Sequence, residues 1–94
     1  MRKITFKIAC CYGNEETTGY VFRFNGFRLV VHRNIIGEGK FGENWSVSLY
    51  SNGCNISCGH TTIKEAIAAC KERICKNGIR LVKKAISKHP VINQ

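Results

Sequence analysis

The chain of 94 residues has no aspartate; all six of its acids are glutamates. Protein-kinase chemistry uses one Asp as catalytic base and another to hold magnesium, so that chemistry is excluded from the start. No apolar run reaches the roughly 18 residues that mark a membrane-spanning helix. The N-terminus, MRKITFKIACC, is basic, but its apolar residues alternate with polar ones, whereas an export signal needs a continuous apolar segment. A cytoplasmic protein is therefore expected. Its six cysteines are numerous enough for three disulfides, yet in that compartment reduced thiols are the expected state.

What the chain has in excess is positive charge. Fifteen Lys and Arg face six Glu, giving +9. Residues 1–60 carry seven basic and four acidic side chains, and residues 61–94 carry eight and two, so the second part is the more basic. Such an excess favours a polyanionic partner, here expected to be nucleic acid or an acidic nucleoprotein surface rather than a membrane. Apolar residues make up 44% of the chain, enough for one folded domain over 1–94. That domain divides into a sheet in 1–60, a helical part in 61–89 and a tail in 90–94.

Period-two patterning places the strands. In KITFKIAC, Ile4, Phe6, Ile8 and Cys10 share one face and Lys3, Thr5 and Lys7 the other. YVFRF and FRLVVHR flank Asn25-Gly26, which suits a two-residue type I′ turn because both central residues need positive φ. That turn pairs Phe24 with Phe27, Arg23 with Arg28 and Phe22 with Leu29. Tyr20, Phe22, Phe24, Phe27, Leu29 and Val31 then face the core, and Val21, Arg23, Arg28, Val30 and His32 face away. The same logic at Asn52-Gly53 pairs Leu49 with Ile56 and Val47 with Cys58. It turns Trp45, Val47, Leu49, Ile56 and Cys58 inward and Ser46, Ser48, Tyr50, Asn55 and Ser57 outward. An antiparallel sheet of about five strands with one covered face is expected.

Thr62 followed by Glu65 has capping-box spacing, and Ile63, Ala66, Ile67, Cys70 and Ile74 recur at helical spacing beyond it. Asn77-Gly78 ends that helix. A second, shorter amphipathic segment, IRLVKKAISKH, stops at Pro90. The fold class is therefore α+β, with one or two C-terminal helices on one face of the sheet.

Catalytic sets are scarce. GEGKFG, residues 37–42, matches G-x-G-x-x-G, and IIGEGKFGENW resembles the glycine-rich loop of protein kinases, but a Trp-led strand follows where a dinucleotide fold needs a helix. The segment reads as a flexible loop between hairpins, in which Lys40 and backbone N–H groups are available to a phosphate. Cys54, Cys58, His60 and Cys70 outline a zinc set, but their spacing falls in a strand and a helix stripe, where cysteine packs as a small hydrophobe. Cys10 and Cys11 point to opposite faces. His32, His60 and His89 have no carboxylate partner in the pattern to orient them for nucleophilic catalysis. Neither an enzyme nor a cofactor is expected.

Two basic surfaces remain. One is the sheet face carrying Lys3, Lys7, Arg23, Arg28 and His32, with Tyr50 beside them and Lys40 in the adjoining loop. The other is the helical face with Lys64, Lys71, Lys76, Arg80, Lys83, Lys84 and Lys88. The sheet set is the sharper signal, because the register that buries the phenylalanines forces Arg23 and Arg28 together. Two guanidinium forks side by side suit phosphate or carboxylate oxygens.

Residues 44–70, NWSVSLYSNGCNISCGHTTIKEAIAAC, run strand, turn, strand, then Thr-x-x-Glu-Ala opening a helix. This order is similar to the arm-binding domains of phage integrases, whose sheet face docks on DNA, and resembles the half-fold of HicB-type antitoxins. The resemblance implies a small phage or mobile-element accessory protein. The functional expectation is a non-enzymatic protein acting on nucleic acid or on a complex that handles it. An anti-CRISPR-like inhibitor of a nucleoprotein defence machine, or an antitoxin-like interaction protein, is the alternative.

Overall fold

Alternation and turn chemistry produce a five-strand antiparallel meander followed by two helices. The computed structural model describes residues 1–10, 13–37, 40–77, 79–88 and 91–93. Its elements are β1 (Arg2–Cys10), β2 (Gly13–Phe24), β3 (Phe27–Gly37), β4 (Lys40–Leu49), β5 (Asn55–His60), α1 (Ile63–Asn77) and α2 (Ile79–Lys88). Strand order in the sheet is β1-β2-β3-β4-β5. Cys11, Glu38, Gly39, Gly78, His89 and Pro90, and the side chains of Cys10, Ile79 and Lys88, lie outside the described residues.

The first Asn-Gly behaves as the pattern predicts. Asn25 and Gly26 have φ of 52° and 81°, as a type I′ turn requires. Phe24 pairs with Phe27, Arg23 with Arg28 and Phe22 with Leu29. Above this hairpin lies the main core. Leu29, Val31, Val47, Leu49 and Ile56 of the sheet pack against Ala66, Cys70 and Ile74 of α1 and Val82 of α2. The Thr62 hydroxyl caps α1 by accepting from the Glu65 N–H at 3.1 Å. The Glu65 carboxylate takes the Thr61 hydroxyl at 2.6 Å.

The opposite face is not open, which corrects the expectation of one covered face. Pairing of β2 with β3 ends at Gly19↔His32, and from Gly13 to Thr18 the one described strand that pairs with β2 is β1. At Gly19 β2 crosses β3 so closely that an added Cβ would lie 2.5 Å from the Val31 carbonyl oxygen and 2.6 Å from Val30 Cγ1. Only glycine permits that crossing. The sheet therefore curls, carrying β1 round to the β4–β5 turn. There the Ala9 N–H donates to the Gly53 carbonyl at 3.2 Å. Phe6, Ile8 and Val30 form a second core inside the curl, bordered by Ile4, Val21, Ile35 and Tyr50. Burying Phe6 and Ile8 contributes roughly 1.5–3 kcal/mol each.

The second Asn-Gly departs from the expected hairpin. Ser48 pairs with Asn55 and Val47 with Ser57, not Leu49 with Ile56 or Val47 with Cys58. Among described non-glycine residues only Asn25 has positive φ, so Asn52-Gly53 is not a type I′ turn. Asn52 is instead buried, and its Oδ1 accepts from the Cys54 N–H at 3.0 Å. Extra residues in β5 make bulges opposite β4, so Ile56 and Ser57 are both buried while Cys58 is exposed rather than inward. The expected loop at 37–42 is also largely strand: Gly37 pairs with Lys40 and Ile35 with Phe41.

Residues 91–93 dock on the sheet. The Asn93 side chain meets the outer edge of β1 as a strand would. Its Oδ1 accepts from the Lys7 N–H at 2.8 Å, and its Nδ2 donates to the Lys7 and Tyr50 carbonyls at 2.6 and 2.8 Å. The N–H groups of Ile92 and Asn93 both reach the Ser51 carbonyl.

Candidate anion-binding surface

The curl redistributes the basic residues. Partners in an antiparallel register point to the same side of the sheet, and successive residues alternate. Arg23 and Arg28 are on the side of Val21, Val30 and the β1 residues Ile4, Phe6 and Ile8. Lys3 pairs with Tyr20 and Lys7 with Glu16, so these two lysines are on the opposite side from the arginines. The expected five-residue basic face is thereby split. The alternation in β1 holds, but its apolar side packs into the curl and not against the helices.

A residue that sequence reasoning missed joins the arginines instead. Arg2 pairs with Val21, two residues from Arg23 on the same face. Arg2, Arg23 and Arg28, all exposed, therefore cluster at the hairpin end of the curled sheet. In a non-hydrogen-bonded antiparallel pair such as 23/28 the Cα atoms stand about 4.5 Å apart. The residue beside them in this register is Val30, and no glutamate takes part in these pairings. Only the β1–β2 register reveals Arg2, and the β1–β2 connection at 11–12 carries no turn signal that fixes it.

Tyr50 lies where expected, next to Arg28. The Arg28 guanidinium sits 5.0 Å from the Tyr50 ring centroid, and the Tyr50 N–H donates to the Arg28 carbonyl at 3.1 Å. Phe6 stacks on Tyr50 at 6.5 Å between centroids and meets His32 at a tilt of 59°, 5.5 Å away. A shallow groove beside the pair is bounded by Arg23, Phe27, Arg28, Tyr50, Ser51 and Asn93. It holds forked donors at one wall and neutral hydrogen-bonding groups at the other, an arrangement fit for oxygens of a phosphate or carboxylate.

His32 does not belong to this surface: it is 3% exposed, inside the curl. Its Nδ1 lies 2.8 Å from the Arg33 carbonyl, which can only accept, so Nδ1 carries the proton. Nε2 is then left to accept from the Ser48 hydroxyl, also at 2.8 Å. Burial holds the imidazole below its ordinary value, opposed in part by the bond to Arg33. Lys40 is exposed but lies at the other end of β3 from Arg28, away from the arginines.

On the helices, Lys64, Lys71, Lys76, Arg80, Lys83 and Lys84 are all exposed. Lys71 stands 5.6 Å from the Phe24 ring centroid, and Arg33 lies 4.1 Å over Trp45 while its Nη1 donates to the Glu43 carbonyl. Of the drawn zinc set, Cys70 is buried in the main core, Cys54 is half-buried in a turn and Cys58 is exposed. Burial raises the Cys70 thiol to about 11. No described helix is long and apolar enough to cross a membrane. Comparison with protein-family models, curated proteins and solved structures finds no match.

Proposed function

We propose that this is a non-enzymatic nucleic-acid-binding protein that holds the sugar-phosphate backbone on Arg2, Arg23 and Arg28. The observation that carries this reading is the direct Arg23–Arg28 pair, exposed and joined on the same face by Arg2. Like charges opposite one another on a sheet oppose folding, and a phosphate between them reverses the sign of that interaction. The net charge of +9 draws polyanions from a distance. Tyr50, Trp45 and Phe24 each have a cation near the ring, which leaves base stacking little part to play. Phosphate contacts therefore dominate, and they position a strand without reading its sequence.

The test is anisotropy of labelled DNA and RNA oligonucleotides against salt, for the wild type and for Arg2→Glu/Arg23→Glu/Arg28→Glu. Each lost phosphate contact lowers the slope of log K against log salt by about 0.9 on duplex and about 0.7 on single strands. The triple variant is expected to lose about 2.7 units of slope on duplex and about 2.1 on single strands, with similar loss for unrelated sequences. Absence of binding at low salt sinks the nucleic-acid reading. Capture by the same arginines of a protein that handles nucleic acid would then favour the inhibitor alternative.

A further inference from the structure

We propose a second site, separate from the arginine cluster: the groove between β5 and α1 binds an extended, acidic segment of a partner protein. The groove has a volume of about 720 Å³. One wall is β5, with Asn55, Ser57, Cys58 and His60 along it, and the other is α1, with Ala69, Glu72, Arg73, Lys76 and Asn77. Three observations point to an occupant. β5 is the last strand of the sheet, and no described strand pairs with its outer side. The Ser57 hydroxyl, in a residue only 8% exposed that lines the groove, has no hydrogen-bond partner among the described residues. Such a group in a native fold calls for an explanation, and a hydrogen-bonding group brought into the groove it lines supplies one. The sequence of β5, NISCGH, has no Lys, Arg or Pro, the residues that usually keep an edge from accepting another strand.

The chemistry of the walls selects the occupant. A strand edge is satisfied by another extended chain, whose N–H and C=O groups repeat at the same spacing. The β5 bulges shorten the regular edge. Pairing is therefore brief, and side chains must supply part of the recognition. Arg73 and Lys76, both exposed, outnumber Glu72 on the α1 wall and favour carboxylates. A second copy of this chain fits poorly, because β5-to-β5 pairing would bring two basic walls together on chains of +9. Nucleic acid lacks the backbone donors and acceptors that a strand edge needs.

The experiment is selection of phage-displayed random dodecapeptides on the immobilised full chain, followed by titration of synthetic winners into ¹⁵N-labelled protein. Winners are expected to be rich in Glu or Asp and to shift amides in 55–60 and 69–77. Arg73→Glu/Lys76→Glu should weaken them at least tenfold. Ala69→Trp, which fills the groove without altering charge, should do the same. Arg2→Glu/Arg23→Glu/Arg28→Glu should leave them bound, which separates this site from the nucleic-acid surface. The proposal is overturned if no peptide is enriched, if winners bind both groove variants as tightly as wild type, or if their shifts map elsewhere. It is also overturned if an oligonucleotide or a second protomer, and not peptide, occupies the groove.

Discussion

Gly26 and Gly53 both follow an asparagine and both have positive φ, 81° and 68°, yet replacing them with alanine should have very different costs. At Gly26 an added Cβ meets no described atom within 4 Å, so the penalty is the left-handed backbone alone, about 1–2 kcal/mol. At Gly53 the same Cβ would lie 2.5 Å from Ile8 Cα, 2.7 Å from Ala9 N and 2.7 Å from the Lys7 carbonyl oxygen. Those are backbone atoms that cannot rotate away, so β1 must move off the turn. That movement loses the Ala9-to-Gly53 hydrogen bond, about 1 kcal/mol. It also loosens Phe6 and Ile8, each worth roughly 1.5–3 kcal/mol when fully buried. With the backbone strain, Gly53→Ala should cost about 3–5 kcal/mol, a large share of the 5–15 kcal/mol that ordinarily separates folded from unfolded states. Urea unfolding followed by far-UV circular dichroism measures both variants. Equal losses, within about 0.5 kcal/mol, would refute closure of the curl through Gly53.

Asn93→Ala removes three hydrogen bonds of 2.6–2.8 Å to Lys7 and Tyr50. It should cost about 1–3 kcal/mol in the same urea assay and speed exchange of the Lys7 amide; an unchanged exchange rate would rule out the tether. His32, held below its ordinary value by burial, is neutral in the fold while the unfolded chain still titrates near 6.5. As pH falls below that value the unfolded state takes the proton first. Stability should therefore drop by up to about 1.4 kcal/mol per pH unit until the folded imidazole also protonates. His32→Gln should remove this dependence, and a wild-type profile that stays level from pH 7 to 5 would contradict it. Cys70, buried with its thiol raised to about 11, should resist a thiol reagent at pH 8 until urea unfolds the chain, whereas the exposed Cys58 and Cys75 react in the folded protein. Mass mapping of the labelled cysteines checks the order.

The hairpin at Asn25-Gly26 was legible because two local signals agree: the turn needs positive φ twice, and the flanking phenylalanines alternate in the register it sets. The helix stripe of Ala66, Cys70 and Ile74 was legible for the same reason, with Thr62 marking its start. Asn52-Gly53 carries the same local signal as the first turn, but a distant contact decides its role. Glycine is needed there for the approach of Ile8 and Ala9, and nothing near residue 53 in the chain announces them. Periodicity likewise placed Ile4, Phe6 and Ile8 together without telling which side of the sheet they pack against. That choice depends on the crossing at Gly19, and it moves Lys3 and Lys7 away from the arginines and brings Arg2 in. Alternation with Arg28 and Val30 puts His32 on the face away from the main core, and the return of β1 over that face buries it.

The arginine pair offers a test in which stability and binding should move in opposite directions. In the free protein Arg23 faces Arg28, whose guanidinium is already placed against Tyr50. Replacing Arg23 with threonine, a good strand former, removes the like-charge contact and should stabilise the free chain by about 0.2–1 kcal/mol. The same change should weaken oligonucleotide binding and lower its salt slope by about one phosphate contact. A site kept for binding at the expense of the fold behaves in this way. If the arginine instead belongs to the architecture, its aliphatic stem covers Val21 on the same face, and its loss exposes that residue. Arg23→Thr would then destabilise the protein and leave binding untouched. Urea unfolding and anisotropy on one preparation distinguish the two outcomes, and the second would remove the reason for assigning the face to an anion.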